Sequence, residues 1–518
     1  MAGYDHREDD QLLAKLGYRQ ELTRSLGQFS TFATGFAFIS ILTGMFLLFG
    51  FTYASGGPAS IWAWIVAIGG QLLFALVFAE LAVKYPLTGS VYNWSKHIAK
   101  TGVAWMAGSA MILALVVSSA AVALTMQAIL PSISDVFWIY GDGSGPNDAS
   151  INSVMLGSLM LVGTTVVMLC GTRVRALINN IGVTVELVAS LALIVLLIFH
   201  AKRGPAVVFQ TNGTESNYST GYTGALMLCL LLGLIVMWGF DSATTLSEET
   251  INPRKNGPKA IIRALLASGI FGALLILGAV MAVEDLGAED IASGGLAYVI
   301  TSTLGNAVGD IFLVCGALAV FVCGMANQTG AVNLMFAMAR DNAFPGSKFV
   351  SKVNERVKVP VVPTIGVALI AILILLFNMG QPQIFLVVSG TTIILALTSY
   401  LLIVAPNALQ RLRGQWTQPE KGYFNLGRLG TPIAVAATVW AIVMIVNIAW
   451  PRPVLYNPAE PFHWYLRWGG VLAPAIMLGL AFAVYWTTRR GKIGILAEHA
   501  AEAERTPELG GESAAALS

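Results

Sequence analysis

The sequence predicts an all-α integral membrane protein with twelve transmembrane helices, and three observations support this class. Hydrophobic residues make up 56% of the 518 residues and charged residues only 11%, whereas about a quarter of an ordinary soluble domain is charged. The mean hydropathy is +0.72. Apolar runs long enough to cross about 30 Å of hydrocarbon recur along the chain, with basic residues concentrated in every second connection.

Twelve apolar runs, called spans 1 to 12 here, define the predicted organisation of the chain. They are predicted at 34–55, 61–82, 102–130, 152–170, 177–200, 223–247, 260–284, 306–338, 361–379, 383–405, 431–450 and 468–487. We divide the chain accordingly into a polar N-terminal segment, a first repeat with spans 1–5, a second repeat with spans 6–10, two further spans and a polar tail. The boundaries of these five parts are 1–33, 34–200, 223–405, 431–487 and 488–518.

The distribution of basic residues predicts the orientation of the spans. With the N-terminus placed in the cytoplasm, all but four of the 30 lysines and arginines fall in cytoplasmic segments; the four exceptions are Lys202, Arg203, Arg452 and Arg467. Positive charge near the ends of membrane helices favours the cytoplasmic side. We therefore expect a multi-pass protein of the plasma membrane with both termini in the cytoplasm, and we interpret the basic loops as topology signals instead of a nucleic-acid surface.

Three further features of the sequence lead to structural predictions. The run 287–304 is too short and polar to cross the membrane, and we expect a re-entrant or surface helix there. Glu80 and Glu248 lie beside basic loops, so we expect ion pairs. The four cysteines all fall inside apolar runs, and no metal-binding or cofactor motif is present. We expect no cofactor.

Spans 1 and 6 are each interrupted by glycine and polar residues. Span 1 contains SILTGMF at 40–46, and span 6 contains WGFDS at 238–242, with Asp241 at the expected depth of the membrane centre. Five spans separate the two interruptions, so the two helices cross in opposite directions. Interrupted helices at equivalent positions of two inverted halves are typical of the central site of a secondary transporter. Asp241 could instead be a paired structural acid, and the glycines could serve only helix packing.

Opening a helix within the membrane creates a binding site for both ends of a zwitterion. The N-terminus of the resumed helix carries unpaired N–H groups and partial positive charge, which suit a carboxylate. The half-helix before the break ends in carbonyl groups without a partner, and these groups, together with Asp241, suit an ammonium group.

Four segments of the chain resemble one known family. SILTGMF, AELAVKYPLTGSVYNW at 79–94, GFDSATTLSEETINPRK at 239–255 and FAMARDNAFP at 336–345 are similar to signatures of the amino acid–polyamine–organocation superfamily. The branch that it most resembles is that of the amino acid/choline permeases, which includes GABA permeases. The resemblance implies two inverted five-helix repeats with broken first and sixth helices, plus two extra helices.

The resemblance also implies a substrate site between spans 1, 3, 6 and 8. Residues Ser40, Ile41, Leu42, Thr43 and Gly44 match the unwound segment that receives a substrate carboxylate in the family. Trp238, Gly239, Phe240 and Asp241 match its partner in span 6, where an aromatic residue commonly covers the ligand. Leu42 stands where many relatives have a small residue, so the carboxylate geometry is expected to differ here.

Two further polar residues in the spans are candidates for function. Glu186 in span 5 could take up and release a coupling proton, or it could be a structural acid bonded to hydroxyl and backbone groups. Relatives that are coupled to protons often place a lysine near this position. Asn327 in span 8 could contact the substrate, although hydrogen bonds between helices are the commoner use of such a residue.

The function that these patterns favour is secondary active transport of an amino acid or related amine, such as GABA, with proton coupling and without covalent chemistry. An exchanger of amines, choline or polyamines, and a non-transporting sensor of the same fold, remain alternatives. A membrane enzyme would require a nucleophile–base pair or a metal motif, and the sequence has neither HExxH nor GxSxG; it also lacks the phosphate loop of an ATP-driven pump. The expected partners are the small substrate, protons and the lipid bilayer.

Overall fold

Within the residues that the structure describes, twelve apolar helices lie at the positions of the predicted spans. The computed structural model describes residues 9–11, 13, 24, 26–354, 359–379, 384–457 and 462–494. Within this part of the chain, eleven helices are long and apolar enough to cross a membrane, and a shorter apolar helix lies at the predicted position of span 9. Spans 1 to 12 comprise Gln28–Gly56, Pro58–Lys84, Thr101–Ile133, Asp148–Leu169, Thr172–Phe199, Tyr222–Thr244, Pro253–Ala282, Asn306–Arg340, Val361–Leu376, Ile384–Leu412, Gly427–Ala449 and Gly469–Arg489. The predicted all-α, twelve-span class is confirmed.

The helix boundaries differ most from the sequence prediction at the ends of the spans. Span 1 begins at Gln28, six residues before its apolar run, and span 7 begins at Pro253 because proline at the first helical position suits a helix start. The polar turns that precede the apolar runs are therefore helical. The predicted loose tail at 488–518 lies almost wholly outside the described residues.

Hydrogen bonds between loops show which loops share an end of the bundle. At one end, Lys84 at the end of span 2 donates to Thr417 after span 10, and Arg254 at the start of span 7 pairs with Glu420 of that same loop. Lys96 pairs with Asp341 after span 8 at 2.5 Å. We call this end, which carries the basic loops, the basic end.

The connections at the opposite end are joined in the same way. The backbone N–H of Lys202 after span 5 donates to the carbonyl of Met281 at the end of span 7. Tyr53 of span 1 and Asn212 both donate to the carbonyl of Leu286. The connections after spans 5 and 7 therefore lie together at the end opposite the basic end.

Spans 1 and 6 are broken and run antiparallel to each other. Span 1 consists of the half-helices Gln28–Ile39 and Ile41–Gly56, and span 6 consists of Tyr222–Val236 followed by the 3₁₀ turn Phe240–Thr244. The first half of span 1 packs on the second half of span 6, and the second half of span 1 packs on the first half of span 6. The two breaks consequently lie side by side.

The remaining packing has the symmetry that an inverted repeat of five helices requires. Span 2 packs on the first half of span 6, and span 7 packs on the first half of span 1. Span 3 packs on span 10, and span 8 packs on span 5 in the same way. Span 2 packs on span 7, and span 4 packs on span 9. Each contact has a counterpart five spans away.

The segment between spans 7 and 8 forms a helix of its own. It runs from Glu289 to Leu304, with a bend at Gly295, and packs against the second half of span 1. Its counterpart between spans 2 and 3, Ser90–Ile98, packs against the second half of span 6. The helix expected at 287–304 is therefore present, and it packs beside the second half of span 1 around Gly50.

The two acids near the basic end form the ion pairs that the sequence predicts. Glu80 of span 2 pairs with Arg411 of span 10, and both side chains are almost completely buried. Glu248, after span 6, accepts hydrogen bonds from the Thr88 backbone and from Arg340. Buried charges of this kind persist only where they are paired, so these contacts tie spans 2, 6, 8 and 10 together.

Candidate functional site

The break in span 1 is confined to Ser40. Its backbone has φ 34° and ψ 94°, outside the helical region, while Ile41 already begins the second half-helix. Leu42, Thr43 and Gly44 are therefore in the first turn of that helix, and the unwound segment is shorter than the resemblance implies. The first N–H groups of a helix have no acceptor in the helix itself. Ile41–Gly56 thus presents its N-terminus at the centre of the bundle.

Glu186 of span 5 caps this N-terminus from another helix. Its Oε1 accepts a hydrogen bond from Ser40 Oγ at 2.9 Å and another from the backbone N–H of Leu42 at 3.1 Å. Ser40 Oγ also lies 2.6 Å from Thr43 Oγ1. Three side chains that the sequence singled out, Ser40, Thr43 and Glu186, are therefore in direct contact, and a carboxylate occupies the predicted carboxylate position.

Asn327 of span 8 lies close to the same break. Its amide nitrogen donates to the carbonyl of Cys323 at 3.0 Å, one helical turn earlier, and the Cys323 thiol donates to the Phe38 carbonyl of span 1. The side-chain oxygen of Asn327 accepts no hydrogen bond from the residues described, although the side chain is 1% exposed. A buried acceptor without a donor is costly, so this oxygen is suited to receive a donor from a ligand.

The break in span 6 depends on the left-handed conformation of Gly239. Its φ is +76°, which a residue with a side chain adopts only with strain. A Cβ atom at this position would also overlap the Phe38 ring. The Gly239 N–H, freed from the helix ladder, donates to the hydroxyl of Tyr400 in span 10 at 2.9 Å.

Asp241 is held by two hydroxyl groups. Tyr400 donates to its Oδ1 at 2.5 Å, and Ser90, from the helix between spans 2 and 3, donates to its Oδ2 at 3.3 Å. None of the described lysines and arginines forms an ion pair with Asp241. Asp241 is 5% exposed. A carboxylate has more acceptor positions than these two hydroxyl groups occupy, so it can still accept hydrogen bonds from a cationic group.

Aromatic rings separate the two breaks. Phe38 packs edge-on against Trp238, with ring centroids 5.5 Å apart. Phe240 points the other way and packs against Phe78 and Tyr400. Of the two predicted aromatic residues, Trp238 therefore faces span 1, while Phe240 is part of the core between spans 2 and 10.

A small cavity lies between spans 1, 3, 6 and 8, where the resemblance implies the substrate site. It has a volume of about 20 Å³, and its walls include Phe38, Ser90, Gly239, Asp241 and Gly330. This is the space of about one water molecule, so a bound substrate requires the surrounding helices to move apart. The lining contains Gly239 and Asp241 from the predicted set, whereas Ser40 to Gly44, Glu186 and Asn327 surround the neighbouring break of span 1.

A larger cleft adjoins this cavity on the side of the basic end. It has a volume of about 190 Å³ and shares the residues Phe38, Ser242, Thr245 and Gly330 with the small cavity. Its outer part carries the charged side chains Arg173, Arg175 and Glu249. We call it the inner cleft.

A second cleft, the outer cleft, opens at the opposite end of the bundle. It has a volume of about 740 Å³, lies against the second half of span 1, and shares no lining residue with the small cavity. All of its lining residues are uncharged, and Thr125 and Asn378 each contribute a buried oxygen without a hydrogen-bond partner among the described residues. The small cavity therefore lies next to the inner cleft and apart from the outer one.

The residues that sequence reasoning missed are those that hold the predicted ones in position. Tyr400 and Ser90 bind Asp241, and Phe38 and Cys323 lie between the breaks and span 8. Tyr400 is a hydroxyl-bearing residue in a long apolar run, which is a weak signal. Phe38 and Cys323 are apolar residues in apolar helices and give no signal.

Gly44 serves close packing between the two broken spans. A Cβ atom there would collide with the side chain of Val236, the last residue of the first half of span 6. We expect Gly44→Ala to reduce transport strongly and to lower the melting temperature. Val236→Ala should restore much of both losses in the double variant, because it removes the colliding methyl groups. Melting curves and uptake measured on the same preparations test this, and a double variant no better than Gly44→Ala would contradict it.

Comparison with known proteins agrees with this architecture. A family described as "Amino acid permease" matches residues 26–477. The chain belongs to this family. The permease is 30% identical over 512 residues to the amino-acid permease BAT1 of Arabidopsis thaliana, covering 92% of this chain and 95% of that protein.

Further relatives of the permease are similar over most of their length. It is 30% identical to the BAT1 homolog of Oryza sativa subsp. japonica, covering 92% and 94% of the two chains. It is 25% identical to the GABA-specific permease of Saccharomyces cerevisiae, covering 86% and 78%. The resemblance inferred from the sequence motifs is thereby confirmed: this is an amino acid transporter of the membrane and belongs to a family of transporters, not of enzymes.

Proposed function

We propose that this permease is a proton-coupled secondary active transporter of a zwitterionic amino acid or related amine, such as GABA. It acts by alternating access in the plasma membrane, with its basic end and both termini in the cytoplasm. The observation that carries the proposal is the pair of adjacent helix breaks, one offering N–H donors and the other a buried carboxylate.

The two breaks suit the two charges of a zwitterion. The N-terminus of Ile41–Gly56, with Ser40 and Thr43, is the proposed carboxylate site, since helix N-termini favour anions. Asp241, lining the small cavity with Gly239, is the proposed ammonium site, and Trp238 with Phe38 forms the aromatic wall between them. The side-chain oxygen of Asn327, which has no donor among the described residues, would accept from an N–H group of the substrate.

The charge of the clefts supports a substrate without net charge. A polyamine or other polycation would be attracted by acidic side chains along its route. The outer cleft is lined by uncharged residues only, and the inner cleft carries two arginines and one glutamate. A zwitterion has no net charge, so the charged side chains along this route do not repel it.

The arrangement of the cavities supports alternating access. The position of the small cavity beside the inner cleft supports a state that faces the basic end. Glu186 is the proposed proton carrier, because it is an acid buried at the helix break where the substrate carboxylate is expected to bind. Movement of the half-helices about Ser40 and Gly239 would close this side and open the other.

Uptake into proteoliposomes tests the proposal. The panel consists of labelled GABA, alanine, glutamate, choline and putrescine, supplied with and without an inward proton gradient. We expect a zwitterion to accumulate above its external concentration, an uncoupler to abolish this accumulation, and counterflow of the same compound to persist. Uptake of choline or putrescine alone would contradict the substrate class, and accumulation indifferent to the gradient would contradict proton coupling.

A further inference from the structure

We propose that Glu186 is an internal competitor for the substrate carboxylate: it occupies the N–H donors at the break of span 1 and vacates them when it is protonated. This inference rests on the proposed function and adds to it a mechanism by which substrate and proton bind together. It assigns to Glu186 a position in the substrate site instead of a separate proton site.

The geometry of the break carries the proposal. A single oxygen of Glu186 accepts hydrogen bonds from both the Ser40 hydroxyl and the Leu42 N–H. These two donors belong to the start of a 16-residue helix, whose dipole favours a negative group at that end. A substrate carboxylate bound to the same turn would require the same donors, so the two carboxylates exclude each other.

The surroundings of Glu186 make its displacement depend on protonation. The residue is 1% exposed, and none of the described basic residues forms an ion pair with it. An ionised carboxylate removed from its donors would remain in an apolar interior without a partner, which is strongly unfavourable. A protonated one carries no charge and can leave the helix N-terminus at little cost. Substrate binding is therefore expected to draw a proton onto Glu186.

The helices packed against span 5 contribute few titratable groups near this carboxyl. They are spans 1, 4, 7 and 8 and the helix Glu289–Leu304. Their titratable side chains, with those of span 5, are Tyr53, Asp148, Arg173, Arg175, Arg254, Lys255, Lys259, Arg263, Glu289, Asp290, Tyr298, Asp310, Cys315, Cys323 and Arg340. Of these, the Cys323 thiol is the group that interacts electrostatically with Glu186 among the residues described. Among the loop histidines, His97 stacks on Tyr85, and burial lowers its pKa.

A hydrogen-bond acceptor for the displaced acid is available at the same break. The side-chain oxygen of Asn327 has no donor among the described residues, and its amide contacts Cys323, which in turn contacts the backbone of span 1. A protonated Glu186 has an O–H group that can donate a hydrogen bond, and an ionised Glu186 has none. The free acceptor therefore matches the protonated, displaced state.

The competition has a defined signature in binding experiments. Binding of a carboxylate-bearing substrate should take up about one proton, and its affinity should fall about tenfold for each unit of pH rise while Glu186 is ionised in the free protein. An amine that lacks the carboxylate does not compete with Glu186. Its affinity should not show this dependence.

The first test uses the wild-type protein in nanodiscs and titration calorimetry across mildly acidic to mildly alkaline pH. The probes are GABA with propylamine and alanine with ethylamine, each pair differing by the carboxylate. Repeating the titration in buffers of different ionisation enthalpy measures the proton uptake. Proton uptake with the amino acid but not with the amine is expected; equal pH dependence for both members of a pair, or no proton uptake on binding, overturns the inference.

The second test does not depend on knowing the substrate. Glu186→Ala leaves the N–H donors empty, so acetate should raise the melting temperature of this variant clearly more than that of the wild type, while methylammonium should not. Equal effects of acetate on both proteins overturn the inference. In Glu186→Gln, which keeps the shape of the side chain, binding of the amino acid should persist with its pH dependence lost.

The tests separate this inference from the proposed function. If uptake measurements establish proton-driven amino acid transport but binding is independent of pH and acetate does not rescue Glu186→Ala, only the competition is wrong and Glu186 is a permanent cap of the half-helix. If acetate rescues the variant while none of the panel compounds is transported, the competition at the break stands and the proposed function is wrong.

Discussion

Asp241→Asn is expected to weaken binding of an amine-bearing substrate by about 10- to 100-fold while the protein remains folded. The estimate corresponds to the loss of one charge-assisted hydrogen bond in a buried site, about 1.5–3 kcal/mol. Asparagine keeps one oxygen that can accept from Tyr400, and its amide nitrogen can donate to the Ser90 hydroxyl, so the local structure should survive. Binding measured with GABA and alanine in nanodiscs, alongside melting curves, gives both quantities.

Tyr400→Phe is the matched control for this prediction. It removes the hydroxyl that joins Gly239 to Asp241 but leaves the carboxylate in place. If Asp241 contacts the substrate, the asparagine variant should lose much more affinity than the phenylalanine variant. Similar losses in both variants, accompanied by similar falls in melting temperature, would show that Asp241 only supports the break of span 6.

Arg411→Met is expected to destabilise the protein by about 3–5 kcal/mol, because it leaves a buried charge without its partner. Arg411 pairs with Glu80 and also donates from Nε to Asn407, and the two charged side chains are at most 2% exposed. Removing the guanidinium would leave the Glu80 carboxylate with the weaker contact from the Leu426 N–H at 3.4 Å. Thermal or detergent unfolding of the purified variants measures the loss.

Two further variants show whether burial is the cause. The double variant Glu80→Gln with Arg411→Met removes both charges and should recover part of the stability lost in Arg411→Met. Glu420→Gln breaks the pair with Arg254, in which the glutamate side chain is 73% exposed, and should change stability by less than about 1 kcal/mol. A double variant as unstable as the sum of its two single variants would contradict this explanation.

The central site was predictable from the sequence where a residue type conflicts with its surroundings. Acids in apolar runs mark Asp241 and Glu186, because a charge in hydrocarbon is costly unless it is used or paired. Glycine and hydroxyl residues mark the breaks at Ser40 and Gly239, because they weaken a helix that otherwise satisfies its own backbone. These are local properties of the chain.

The contacts between these residues were not predictable, because they join segments far apart in the chain. Ser40 and Glu186 are 146 residues apart, and Tyr400 and Asp241 are 159 apart. Each side chain alone fits several partners, and only the packing of the spans selects one. For that reason the sequence left open whether Glu186 titrates or caps a helix, and the structure adds that it holds the same donors that the carboxylate site requires.

The sequence by itself determined the class, the twelve crossings, the alternation of the loops and the positions of the two breaks. Each follows from hydropathy, charge or backbone preference along the chain, which the bilayer acts on segment by segment. The tertiary structure decided which groups meet: Glu186 with the start of Ile41–Gly56, Asp241 with Tyr400 and Ser90, and Phe38 between them. Those contacts arise from helix packing, which depends on the shapes of surfaces that are assembled only when the whole chain has folded.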